Sequence, residues 1–172
     1  MSEFEFLRCL REITSGKKES LKRIYDCYGN VVYSYALSII KSESLAEDIC
    51  QDVFIKIWGS SDKYKKNNNH KGWIMTITRN TSIDYLRKYN KEDIVDHINL
   101  YDNKDVVEDV NQKLQINEAL ALLKDEEREV VVLHAISDLT FKNIGEILNK
   151  PIGTITWRYR EAIKKLRDRI IL

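Results

Sequence analysis

Apolar residues recur along this chain every three or four positions, in stripes separated by short polar breaks, so the pattern predicts helices. Phe6, Cys9, Leu10 and Ile13 form the first stripe, and Ser15-Gly16 interrupts it. Leu21, Ile24, Tyr25, Tyr28, Val32, Tyr35, Ala36 and Ile39 form the second. Ser44, with Glu47 three residues on, has the form of a capping box. Ala46, Ile49, Cys50, Val53, Phe54 and Ile57 then make the inner face of a third helix. From Gly72 a fourth helix turns Ile74, Ile77, Thr81 and Tyr85 inward, flanked by Met75, Ser82 and Leu86. Residues 91–110 sustain no stripe, and no structure is assigned to them. The spacing resumes at Ile116, Ala119, Leu120 and Leu123. Asp125 reads as the cap of the next helix, with Glu126 and Glu127 complementing the dipole of its first turn. Val130, Leu133, His134 and Ile136 continue that helix.

Thr140 is a good N-cap for a short helix burying Phe141, Ile144, Gly145 and Leu148. Asn149-Lys150-Pro151 ends it, because proline disfavours the helical conformation of the residue before it. A second helix restarts around 152–154 and buries Ile155, Tyr159, Ala162, Leu166 and Ile170. Two helices joined by a tight turn, the second rich in Arg and Lys, predict a helix-turn-helix. Gly145, costly inside a helix, marks a place where the buried face is approached closely.

The expected fold class is therefore all-α: two small helical domains, 1–90 and 112–172, joined by an acidic linker at 91–111, the second domain a helix-turn-helix. The chain has 172 residues, 43% hydrophobic and 32% charged, as in an ordinary globular protein. The N-terminal stretch lacks the apolar core of a signal peptide, and the apolar runs are too short for a membrane span, so a cytoplasmic protein is expected. Cys9, Cys27 and Cys50 contain no C-x-x-C pair and read as free thiols used as small apolar residues. His70, His97 and His134 show no metal-ligand spacing, so no metal and no cofactor is expected. Without a glycine-rich phosphate loop or a clustered nucleophile and base, an enzyme is not expected.

A net charge of +1 conceals a partition. Residues 53–91 carry +7 and residues 141–172 carry +5, around an acidic stretch of −6 at 92–109. Two separated basic blocks suggest two nucleic-acid contacts. The first block contains the loop GSSDKYKKNNNHK, with four lysines, Tyr64 and three consecutive asparagines. Taken alone that mixture reads as a plain solvated loop; beside a second basic block it also suits phosphate contact combined with amide hydrogen bonds to exposed bases. On the third helix, Ile55 lies about 180° from Ala46. It sits among Asp48, Gln51 and Asp52, an apolar centre with a polar rim that is either a partner face or a single exposed isoleucine. On the last helix, Trp157 lies about 200° and Lys164 about 180° from Ile155, with Thr154, Arg160 and Glu161 flanking and Arg158 at the edge. An indole there is placed either for a thymine methyl or for a protein contact that meets no base, and Glu161 for a cytosine amino group.

These motifs, in this order, resemble the bacterial RNA polymerase sigma factors of the extracytoplasmic-function type, within the sigma-seventy superfamily. Ala46 to Phe54 is similar to the family's helix that grips the polymerase clamp helices. Gly72-Trp73-Ile74, Arg79-Asn80 and Ile83 to Arg87 resemble its promoter-melting helix. Glu127 to Val130, Ile144 to Leu148, Pro151-x-Gly153-Thr154 and Lys164 to Leu166 resemble its second conserved domain. The resemblance implies core RNA polymerase and promoter DNA as partners, an anti-sigma protein as a further one, and no membrane insertion.

It also implies roles. Asp48, Gln51, Asp52 and Ile55 would dock on polymerase. Lys63, Lys65, Lys66, Asn67, Asn68, Asn69, Lys71, Trp73, Arg79, Asn80, Arg87 and Lys88 would serve the minus-ten element. Thr154, Thr156, Trp157, Arg158, Arg160, Glu161 and Lys164 would serve the minus-thirty-five element. Thr156, Trp157, Glu161 and Ile163 depart from the family's usual recognition helix, so promoter preference is not implied. The competing expectation is a regulator that binds duplex DNA through its helix-turn-helix without polymerase, using residues 1–90 to sense or dimerise.

Overall fold

The computed structural model of the chain describes residues 1–65, 69–89 and 119–170, Arg169 and Ile170 by backbone alone, and among these described residues it has seven helices of more than one turn. The expected linker at 91–111, and Lys66, Asn67 and Asn68, lie outside the described residues. Helix α1 spans Glu3–Thr14, α2 Lys18–Ile40, α3 Glu43–Gly59 and α4 His70–Lys88. Then come α5 (Asp125–Ala135), α6 (Phe141–Leu148) and α7 (Ile152–Ile170). Among the described residues there is no strand.

In the first unit, α2 is the spine against which α1, α3 and α4 pack. Phe6, Ile24, Val32, Tyr35, Ile49, Val53, Ile57, Ile74 and Met75 are almost wholly removed from water there. Ser2 and Glu5 form a reciprocal capping box at the start of α1. Helix α3 begins earlier than its sequence suggests. Ser42, not Ser44, accepts from the Leu45 amide, because only Ser42 has the extended backbone that a cap requires. Helix α4 likewise starts at His70, with the Asn69 side chain accepting from the Gly72 amide at 3.3 Å. Thr78 joins its buried face, whereas Leu86 stays exposed. Of the three cysteines, Cys9 and Cys50 are buried as expected, while Cys27 is exposed and so not a core residue.

The second unit is the expected helix-turn-helix preceded by a supporting helix. The cap of α5 is Lys124 rather than Asp125, which lies inside the helix and binds Arg128 and Lys41 instead. Ile136 falls past the end of α5 and is exposed. Arg128, itself buried, closes the preceding turn by donating to the carbonyls of Leu120 and Leu123, each at 2.8 Å. Thr140 caps α6 as expected, and Asn149, left-handed at φ 51°, ends it. The close approach at Gly145 is to the turn rather than to a neighbouring helix. The Lys150 amide donates to the Gly145 carbonyl, and a Cβ here would lie 2.8 Å from the Lys150 carbonyl oxygen.

Lys165 of α7 reaches both oxygens of Glu127, at 2.7 and 2.8 Å, and so ties α7 to α5. Burial pushes the Glu127 carboxyl up, yet Lys165 and the Lys124 amide hold it below its ordinary 4.5. A depressed folded value adds stability that is full above the unfolded value and fades as pH falls through the folded one. Thermal melts taken between about pH 6 and pH 3 will therefore lose stability toward acid, and Glu127→Gln will show a shallower loss. Parallel slopes for the two proteins would remove Glu127 from that account.

The two units share one hydrophobic cluster running from Phe6 through Val130 and Ile144 to Ile155. Helix α5 packs on α2, and α6 on α4. At the seam, Glu129 accepts from the Tyr35 hydroxyl and from Arg79 Nε, both at 2.8 Å. Burial, then the charge of Glu129, pushes the Tyr35 phenol well above its ordinary value, so it remains a donor. Lys41–Asp125 and Lys71–Asp138 pairs lie further out, at 2.8 and 3.1 Å.

Candidate nucleic-acid interface

Helix α3 presents Asp48, Gln51 and Ile55 to solvent on one side, with Ile55 65% exposed. Positions i, i+3 and i+7 fall along one helical stripe about 10 Å long. Asp52, at i+4, is half-buried and accepts from the Tyr85 hydroxyl of α4 at 2.8 Å. This face is an exposed apolar residue one turn beyond an amide and two carboxylates, one carboxylate already anchored.

The first basic block divides. Lys63, Lys65 and Asn69 are exposed on the loop before α4. Asn80, Arg87 and Lys88 are exposed along α4, where Arg87 faces Asp84 at 3.6 Å and Lys88 sits over the Tyr89 ring. Lys71 and Arg79 are half-buried and turned toward the second unit, against Asp138 and Glu129. Trp73 is half-buried, its ring 6.0 Å from Phe6 and 5.1 Å from Tyr64. Tyr64 itself is buried, not displayed on the loop, so it is unavailable for base stacking in this arrangement.

Beneath that loop lies a polar cluster that residue spacing does not disclose. His70 is buried, with Nδ1 2.5 Å from Glu3 Oε2 and Nε2 2.5 Å from the Tyr28 hydroxyl. The Tyr64 hydroxyl donates to the other oxygen of Glu3 at 2.6 Å. Partial burial raises the Glu3 carboxyl, but its bonds to Tyr64 and His70 prevail and leave it below its ordinary value. Burial, with a smaller contribution from nearby acidic groups, lifts the Tyr28 phenol to about 12. Among the described residues no group of His, Cys, Asp and Glu side chains is arranged to hold a metal ion.

On α7, Trp157 is 60% exposed and Ile152 56% exposed, while Ile155 and Ala162 are buried. Arg160 and Lys164 are exposed beside them, and Thr154, Thr156 and Glu161 are half-exposed. The Thr156 hydroxyl turns back to the Ile152 carbonyl. Arg158 differs from the rest. It pairs with Glu126 and its side chain is 12% exposed, so it braces α7 against α5 and is not displayed on the outer face.

Two family models match the chain: Sigma-70 region 2 over residues 24–92 and Sigma-70 region 4 over residues 119–168. The first takes in most of α2 together with α3 and α4, and the second α5 to α7; α1 precedes both. The ECF RNA polymerase sigma factor SigM of Bacillus subtilis is 31% identical over 87% of this chain and 96% of its own length. The chain belongs to the ECF RNA polymerase sigma factors. SigW of the same organism is 29% identical to this sigma factor, over 92% of this chain and 95% of SigW. In fold it is similar to CnrH, solved with the cytosolic domain of CnrY, with a TM-score of 0.72 at 19% identity over 96% of this chain and 97% of that one. It is also similar to RpoE of Bartonella quintana, solved with the anti-sigma factor NepR, with a TM-score of 0.69 at 24% identity over 88% and 96%. Among the described residues of this sigma factor, no helix is long and apolar enough to cross a membrane.

Proposed function

We propose that this sigma factor binds core RNA polymerase through the α3 face and directs it to promoters read at two elements. Asp48, Gln51, Asp52 and Ile55 form the docking stripe. The loop from Lys63 to Lys71, with Trp73, Arg79, Asn80, Arg87 and Lys88 of α4, serves the minus-ten element on an opened strand. There the bases expose pairing edges that a duplex hides. Thr154, Thr156, Trp157, Arg160, Glu161 and Lys164 of α7 serve the minus-thirty-five element in the major groove, with Arg158 holding that helix in place. Residues 1–90 and 112–172 act as the two reading units and 91–111 as their connection. The protein works in the cytoplasm as a non-catalytic initiation factor, and an anti-sigma protein is its natural restraint.

The observation that carries this reading is the coexistence of an exposed acidic-apolar stripe on α3 with basic surfaces on both α4 and α7. Run-off transcription with core polymerase over a promoter library tests it. Transcripts appear only when both proteins are present. Tight binding to promoter duplex by the sigma factor alone, without transcripts, would favour a free-standing regulator instead. In the same library, Trp157→Ala relaxes preference at one minus-thirty-five position by about tenfold, the scale of a lost base contact. An unchanged profile would show that the indole meets no base.

A further inference from the structure

Helix α1 has no place in the roles assigned above, yet it holds both ends of the basic, amide-rich loop with one carboxylate. Tyr64 stands before Lys65 and His70 stands after Asn69. The Tyr64 hydroxyl binds Glu3 Oε1 at 2.6 Å, and His70 Nδ1 lies 2.5 Å from Glu3 Oε2. A neutral imidazole carrying its proton on Nδ1 gives every group a single role. Tyr28 donates to Nε2, Nδ1–H donates to Glu3, and Tyr64 donates to the remaining oxygen. Phe6, three residues along α1, backs the same tether. Its ring stacks on His70 with centroids 4.9 Å apart and meets Tyr64 edge-on at 5.3 Å. Lys65 and Asn69, between the two anchors, face solvent.

Only a carboxylate offers two equivalent acceptors for donors arriving from both ends of a loop. Anchoring Tyr64 and His70 sets where their neighbours Lys65 and Asn69 stand. We propose that Glu3 is a positioning residue for minus-ten recognition, acting through Tyr64 and His70 to place Lys65 and Asn69 for the extruded base. The proposal rests on the reading of that loop as the minus-ten reader.

The test uses full-length sigma factor with core polymerase over a library randomised at both promoter elements. Glu3→Ala narrows the spread between preferred and disfavoured minus-ten bases by about tenfold, the scale of one weakened base contact. The minus-thirty-five preferences and core binding stay unchanged. Glu3→Gln and Tyr64→Phe each remove one arm of the tether, keep the packing, and narrow the spread less. They carry the test if Glu3→Ala lowers the melting temperature severely.

A double variant, Lys65→Ala with Asn69→Ser, which retains a capping side chain, separates the two ideas. If it alters minus-ten preference while the Glu3 and Tyr64 variants leave it intact, the positioning role is overturned and the loop reading survives. If it alters nothing, the loop reading falls and takes the proposal with it. A uniform loss of transcription from every promoter by the Glu3 and Tyr64 variants, with the preferences unchanged, also overturns positioning in favour of simple stabilisation.

Discussion

Asp48→Lys combined with Ile55→Lys abolishes retention of core RNA polymerase, weakening it by at least about a hundredfold, or roughly 3 kcal/mol. The two side chains stand on the same stripe of α3, and neither is part of the buried core. Ile55 supplies the apolar centre that a partner would bury, and Asp48 supplies part of the charged rim. A lysine at 55 puts a charge where the contact should be dry, and a lysine at 48 reverses the local field. Both changes act on the free surface, so melting temperature and helix content remain as in the wild type. Asp52 is the less informative target despite its place on the stripe. Its carboxylate also receives the Tyr85 hydroxyl, so replacing it loosens α3 from α4 and mixes a folding defect with a binding one. Co-purification with polymerase at wild-type levels would sink the docking assignment.

That face was readable from sequence because helical periodicity reports direction. Ile55 is out of phase with the seven buried residues of α3, and nothing but the angle is needed to see it. The same periodicity puts Trp157 on the outer face of α7, where it is exposed. Helix starts were read less well, since Ser42 and Ser44 are equally good caps as residue types and only backbone conformation selects between them. Periodicity puts Arg158 only near the edge of the outer face, and its reach to Glu126 on another helix is what turns it inward.

The buried polar groups were the least legible. Glu3 and His70 lie 67 residues apart, and Tyr35 and Glu129 lie 94 apart. Periodicity names the face a residue occupies but not which distant face closes over it. Tyr64 and His70, read as loop aromatic and unlikely ligand, become anchors only once α1 is laid beneath them. The division into two units was legible; their shared core was not, because it depends on how α5 and α6 settle on α2 and α4.

The shared core makes Glu129 the residue whose loss should change the molecule most. Its Oε1 takes hydrogen bonds from Tyr35 and from Arg79, and its side chain is 16% exposed against 28% for Arg79. Hydrogen bonds to a charged group contribute about 1.5–3 kcal/mol each when buried, and partial exposure lowers that here. Glu129→Ala also strands a phenol in the core and a guanidinium at the seam without their acceptor. The loss falls at about 2–4 kcal/mol, concentrated on the contact between units. The outer pairs, Lys41–Asp125 and Lys71–Asp138, involve strongly exposed carboxylates and cannot hold the seam alone.

Small-angle scattering should therefore show Glu129→Ala with a larger radius of gyration than the wild type, while each unit keeps its helix content. Glu129→Gln, which still accepts from both donors, should remain closer to the wild type. On the proposed reading Arg79 also serves the minus-ten strand, and the Glu129 carboxylate held at its Nε repels an approaching phosphate, so loss of this contact favours engagement. The variant then forms open promoter complexes faster than the wild type at equal polymerase occupancy, as read by permanganate footprinting. An unchanged radius together with an unchanged opening rate would mean that the apolar cluster, not Glu129, holds the two units together.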